Sequence, residues 1–163
     1  MILVLLGTQN NSFYRLLEEI EKNVENGNIQ EEVVVQAGYT KFEPQTRKQQ
    51  IKIFSTIAKT ELDKLIEKSS LVISHGGVGS MVTANQKGKK VIAVPRRKKY
   101  HEHVNDHQVE TIEIFAKRGY VMPIKNVEDL GQALKNIKEF EPTIYQKDKE
   151  SNIITIIEQF IGE

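Results

Sequence analysis

The chain has 163 residues, 39% of them hydrophobic and 28% charged, with 23 lysines and arginines against 22 aspartates and glutamates. That composition belongs to a folded domain with a sizeable core and excludes a disordered chain. A net charge of +1 excludes a molecule-wide basic field of the kind that holds nucleic acid, and the lack of cysteine excludes disulfides, thiolate nucleophiles and Cys-based metal sites.

The first apolar run, residues 2–6, is far shorter than the roughly 20 residues that cross a bilayer. No basic residue precedes it and Gly7-Thr8-Gln9 follows at once, so it reads as a buried strand and not as a signal peptide. The expected location is therefore cytoplasmic, with any membrane contact peripheral or through a partner. Phe13, Leu16, Leu17, Ile20 and Val24 then fall on one helical stripe, with Asn10, Asn11 or Ser12 available as its cap. Strands follow at 33–36 and 51–54. Thr60-Glu61-Leu62-Asp63 resembles a capping box for a helix carrying Leu62, Leu65 and Ile66. Further strands are expected at 71–74, 91–94 and 120–122. A helix over 104–117 is closed by Gly119, and amphipathic helices are expected over 127–140 and 149–161.

Several strand runs are apolar without alternation, as strands covered on both faces must be. Strands alternating with helices predict an α/β fold with a mainly parallel sheet, in a single domain spanning residues 1–163.

In such a sheet ligands gather outside the carboxyl ends of the strands, so the residues after each strand carry the functional expectation. After the fourth strand comes His75-Gly76-Gly77-Val78-Gly79-Ser80, leading into a helix. Its glycines allow close approach of a ligand, and the helix start offers unpaired N–H groups and a positive dipole end, which suit a phosphate. Ser80 can cap that helix or donate to the anion, and His75 can add a donor. The same spacing also fits a plain glycine-rich turn with His75 satisfied by a neighbouring carbonyl. Gly7, Thr8 and Gln9 repeat the arrangement more weakly after the first strand.

The histidines 101, 103 and 107 do not follow the HExxH zinc pattern, and a polar loop with Asp106, His107 and Gln108 facing a polar ligand fits better. Seven of the 13 residues from 87 to 99 are basic, which reads either as a solvated rim or as a surface for a diphosphate or an acidic membrane. GxSxG is absent, and so is a DxD carboxylate pair. A metal-free site in which helix dipoles and donors stabilise a leaving diphosphate is the consistent picture.

The ordered set Gly7-Thr8-Gln9, Gln36-Ala37-Gly38-Tyr39, Ile73-Ser74-His75-Gly76-Gly77-Val78-Gly79-Ser80, Val94-Pro95-Arg96 and Glu102-His103-Val104-Asn105-Asp106-His107-Gln108 resembles the glycosyltransferase family 28 C-terminal domain. The nearest likeness is to its small single-domain catalytic subunits, which serve dolichol-linked GlcNAc transfer or bacterial capsule and exopolysaccharide synthesis. The resemblance implies a Rossmann-like sheet with helices on both faces, the nucleotide-sugar-binding half of a GT-B enzyme. It implies that His75, Gly76, Gly77, Val78, Gly79 and Ser80 cradle the donor diphosphate, and that Asp106, His107 and Gln108 contact the donor sugar. Gly7, Thr8 and Gln9 would line the cleft, and the loop around Phe54 and Ser55 is where relatives hold the uracil. Many relatives have an acidic residue for the ribose one turn into the helix after the glycines. Thr83 stands there in this sequence and can make at most a single weaker contact.

The implied activity is inverting transfer of a hexose from a UDP-sugar to a polyprenyl-diphosphate-linked acceptor, with no cofactor and no metal. A GT-B site needs a second half, so the resemblance also implies a membrane-anchored, acceptor-binding partner subunit that supplies the general base and recruits this chain to the inner face of the membrane. Two other readings stay open: a non-catalytic nucleotide-binding or scaffold module of the same fold, and an unrelated phosphoester-binding α/β protein.

Overall fold

Strand β1 (Ile2–Leu5) is apolar throughout because both of its faces are covered. Ile2 and Val4 enter one buried cluster, while Leu3 and Leu5 enter another on the opposite side. Strands β2 (Val33–Gln36), β4 (Leu71–Ser74) and β5 (Val91–Ala93) are buried along their whole length in the same way, while β3 (Ile51–Phe54) and the two-residue β6 (Met122–Pro123) are the edge strands, where Lys52 and Pro123 are exposed. In a computed structural model, which describes residues 1–48 and 50–146, these strands pair in parallel in the order β3-β2-β1-β4-β5-β6. Helices α1 (Tyr14–Glu25) and α5 (Leu130–Asn136) bury Leu16, Leu17, Ile20, Val24, Leu130 and Leu134 in the first cluster. Helices α2 (Lys59–Lys68), α3 (Val78–Gln86) and α4 (His107–Lys117) cover the other face with Ile66, Met81, Ala84, Ile112 and Phe115. This is the doubly wound arrangement expected from the sequence. Its strand order reverses between β1 and β4, which opens a crevice at their carboxyl ends.

The starts of α1 and α2 differ from expectation, because no side chain caps either of them. Helix α1 starts behind Phe13, whose N–H donates to Thr40 Oγ1 at 3.0 Å, and none of Asn10, Asn11 or Ser12 caps it. Helix α2 starts at Lys59 with no side-chain cap, so the capping box is not formed and Thr60 lies inside the first turn. Thr60→Ala is therefore expected to leave stability within about 0.5 kcal/mol, against the roughly 1 kcal/mol of a true cap, as urea denaturation would measure.

Residues 104–106 stay outside α4, in a loop where His101 takes a left-handed conformation. The sixth strand falls at Met122–Pro123, after Tyr120 has packed edge-on against Phe115 and Tyr145. Residues 127–140 give a 3-10 turn (Val127–Asp129) and then the short α5. The helix expected over 149–161 lies outside the described residues.

The basic run is not one rim, because β5 divides it. At its amino end, Lys87 pairs with Glu67 at 2.6 Å, and the Lys89 ammonium donates to the Glu67 and Ser69 carbonyls at 2.7 and 2.9 Å. There too, Lys90 donates to the Ile137 and Lys138 carbonyls at 3.2 and 2.8 Å. Arg96, Arg97, Lys98 and Lys99 emerge at the opposite, carboxyl end of the strand.

Candidate functional site

Because β1 and β4 are neighbours at the switch point, the loop after each opens on the same crevice, and the loop after β5 closes its side. The link after β4 is the shortest, with only His75, Gly76 and Gly77 before α3. His75 is buried, and its Nδ1 lies 3.0 Å from the Leu5 carbonyl oxygen. A carbonyl only accepts, so Nδ1 carries the ring proton. Burial pushes the imidazole down to about 4, more than the Leu5 bond raises it. At neutral pH Nε2 thus holds a lone pair and accepts hydrogen bonds. The donor role expected for His75 is not supplied by this tautomer; donation to an anion would first require proton uptake.

The ring edge sits between two glycines. A Cβ on Gly77 would fall 2.5 Å from Nε2, and one on Gly7 would fall 2.7 Å from it. Gly7 also holds a φ of +74°, which other residues rarely adopt. Its main chain is locked from the far side by Gln36, which accepts from the Gly7 N–H at 3.2 Å and donates to its carbonyl at 3.0 Å.

Helix α3 begins after Gly77 with no side-chain cap and no acidic residue in its first turn. Its first intrahelical bond runs from the Met81 N–H to the Gly77 carbonyl at 3.1 Å, so the N–H groups of Val78, Gly79 and Ser80 have no acceptor within the helix. Ser80 stands inside the helix and does not cap it. Beside this helix start is a cavity of about 370 Å³ that Gly7, Thr8, Gln9, His75, Gly77, Gly79 and Ser80 line. Uncapped amide donors at the positive end of a helix, facing a cavity, are an anion site in the making.

Beyond His75 is a smaller pocket of about 130 Å³, bounded by Gln9, His103, Asn105, His107, Gln108 and Thr111. His103 is held from two sides, with the Asn105 nitrogen 3.3 Å from its Nδ1 and the Gln9 side-chain amide nitrogen, a donor, 3.2 Å from its Nε2. Gln108 Oε1 accepts the Arg96 N–H at 3.0 Å, which leaves its amide nitrogen for the pocket.

Asp106 is not brought there. Its carboxylate takes the Lys98 N–H at 3.0 Å and lies 3.4 Å from Arg97 Nε, and the Lys98 bond in particular holds it below the usual carboxylate range. Phe54 and Ser55 line a separate groove of about 870 Å³ at the ends of β2 and β3, with Tyr39 and Phe42. The cavity beside α3 is instead walled by Thr56, Ile57 and Leu62, which sequence reasoning did not single out. Thr83 lines neither cavity. Among the described residues, no three His, Asp or Glu side chains are grouped to hold a metal ion.

Over residues 1–160 the sequence matches the family described as glycosyltransferase family 28 C-terminal domain. The UDP-N-acetylglucosamine transferase subunit ALG13 of Cryptococcus neoformans var. neoformans serotype D is 33% identical over 85 residues, 51% of this chain and 40% of that protein. The match thus spans well under half of the relative's length. Among solved structures, MurG of Acinetobacter baumannii aligns with a TM-score of 0.61 at 16% identity, over 84% of this chain and 42% of that one. The calicheamicin glycosyltransferase CalG4 gives 0.61 at 14%, over 83% and 33%. The C-terminal CMP-Kdo binding domain of WaaA from Acinetobacter baumannii gives 0.53 at 7%, over 100% and 90%. These distant likenesses establish a shared fold.

Proposed function

The chain belongs to the glycosyltransferase family 28 C-terminal domains, and from that premise we propose that it is the donor-binding subunit of a two-subunit inverting glycosyltransferase. The substrate is a UDP-sugar, and the acceptor is a polyprenyl-diphosphate-linked sugar used in capsule or exopolysaccharide synthesis. The observation that carries this reading is the uncapped start of α3, where Gly77, Gly79 and Ser80 line a 370 Å³ cavity at the switch point and Val78 borders the smaller pocket beside it. The amides of Val78, Gly79 and Ser80 take the diphosphate, and the smaller pocket past His75 takes the sugar.

As the glycosidic bond breaks, charge grows on the diphosphate, and donors fixed before the reaction stabilise it without reorganising. No metal is needed for that step in this reading. UDP-GlcNAc is the first donor to test, because the ALG13 relative is named as a subunit of a UDP-N-acetylglucosamine transferase.

The same name supports a partner subunit. So does the rim of the crevice, where Tyr14 at the start of α1 and Tyr39, Tyr100 and Val104 in the segments after the strands are large and exposed. The general base that deprotonates the acceptor hydroxyl belongs to that partner. No helix among the described residues is long and apolar enough to cross a membrane, so in this reading the partner brings the chain to the inner face of the membrane.

The test is transfer of radiolabelled sugar from UDP-GlcNAc to lipid-linked acceptor by membranes from cells that co-express the chain and a membrane-anchored, acceptor-binding glycosyltransferase subunit. Transfer by the pair and by neither protein singly is expected. UDP binding without transfer by the pair would instead favour a non-catalytic module.

A further inference from the structure

Arg96 follows β5 directly, and its side chain is 1% exposed, in place of a surface member of the basic run. Its hydrogen-bond partners are main-chain carbonyls from both flanking loops. Nη2 donates to the Leu6 carbonyl at 2.6 Å, and Nη1 donates to the Asn11 and Glu102 carbonyls at 2.6 and 3.2 Å. The guanidinium also lies 5.1 Å from the centre of the Phe13 ring. Burial lowers its pKa to about 10, so it remains charged at neutral pH.

The nearest carboxylate, Glu102, is itself buried and engaged elsewhere. It receives Arg15 through two bonds of 2.6 and 2.8 Å, and the Arg97 N–H at 3.0 Å. A buried charge directed wholly at backbone carbonyls fixes the paths of those backbones, because each carbonyl left without its donor would carry a desolvation cost.

From this geometry we infer that Arg96 is a positioning residue that holds the β1–α1 and β5–α4 loops in register around the smaller pocket. The inference rests on the reading of that pocket as the sugar subsite. Gln9 lies between Leu6 and Asn11, the two carbonyls Arg96 holds in the first loop. His103 directly follows Glu102, the carbonyl it holds in the second. The Gln9–His103 contact closes the pocket between them. The Arg96 N–H also orients Gln108. The diphosphate side stands on other supports: Gly7 on Gln36, His75 on Leu5, and the amides of α3 on their own helix. Gln9 lines both cavities, whereas the second loop that Arg96 holds borders only the smaller one, so Arg96 bears more on recognition of the sugar than on recognition of the nucleotide.

Calorimetric titration of the full chain with UDP and with UDP-GlcNAc tests this, using wild type, Arg96→Met and Arg96→Lys. The expected result for Arg96→Met is a roughly tenfold shift in the ratio of the two affinities against UDP-GlcNAc, the scale of one lost hydrogen bond, with UDP affinity kept within about threefold. Arg96→Lys retains a cation that reaches fewer carbonyls and should shift the ratio in the same direction by less; it carries the test if the methionine variant does not fold. Equal weakening of both ligands, or no change in the ratio, would overturn the positioning role and leave UDP binding standing. Failure of the wild type to bind UDP would overturn the functional reading and this inference with it.

Discussion

Gly77→Ala should weaken UDP binding roughly 100-fold, the scale of losing one strong hydrogen bond to a charged group. Gly77 has φ −69° and ψ 126°, a conformation alanine adopts freely, so the backbone itself raises no objection. The obstacle is the new methyl group, which would lie 2.5 Å from His75 Nε2 and 2.7 Å from Cε1. That ring cannot swing aside cheaply, since it is buried and its Nδ1–H is held by the Leu5 carbonyl. Relief must come from displacing the start of α3, whose Val78, Gly79 and Ser80 amides are the proposed diphosphate donors. Calorimetry on Gly77→Ala and on the double variant Gly77→Ala, His75→Ala would check this. The double variant removes the ring and should recover most of the lost affinity. Equal losses in both would place the effect elsewhere.

Acid should destabilise the protein through His75, and the sign follows from its environment. An unfolded histidine titrates near 6.5, whereas in the native chain burial pushes His75 down to about 4. Above pH 6.5 both states are neutral and the group is silent. Between about 6.5 and 4 the unfolded chain takes up a proton that the native chain refuses, so stability falls as pH falls. The loss reaches about 2 kcal/mol by pH 5 and about 3 kcal/mol near pH 4. His75→Gln cannot titrate, so the drop in urea-denaturation free energy between pH 7 and pH 5 should be smaller in that variant by about 2 kcal/mol. The carboxylates with lowered pKa values, Glu31 and Asp106 among them, are present in both proteins and cancel in the comparison. Parallel losses in the two proteins would refute the assignment.

The strands were the most legible part of the sequence. For β2, β3 and β4 the apolar, largely β-branched runs mark the strand to the residue, even with Gln36 and Ser74 closing two of them and Lys52 exposed within the third. Helix starts were poorly legible. Thr60 and Ser12 have the right chemistry for caps, but the helices start at Tyr14 and Lys59, behind Phe13 and Ala58, and use neither of them.

The crevice itself could be placed from the residues after β1 and β4, since the switch point follows from strand order. Which side chains face it could not. Asp106 was drawn away by the Lys98 N–H, and spacing in the sequence carries no trace of that bond. Thr56 and Ile57, from the loop before α2, and Leu62, from within α2, meet the start of α3 across the cavity, a tertiary fact without a local motif. Arg96 was hidden in a charge run. The available clue was its place immediately after the buried Val94 and Pro95 at the end of a central strand, where a solvated side chain has no room.

The most direct measurement is an NMR titration resolved at individual backbone amides. UDP should shift the signals of Gly77, Val78, Gly79 and Ser80, and uridine without its phosphates should leave them in place. Amides at the start of α3 that stay unmoved by saturating UDP, while those around Tyr39 and Phe42 respond, would contradict the assignment of the diphosphate to this helix.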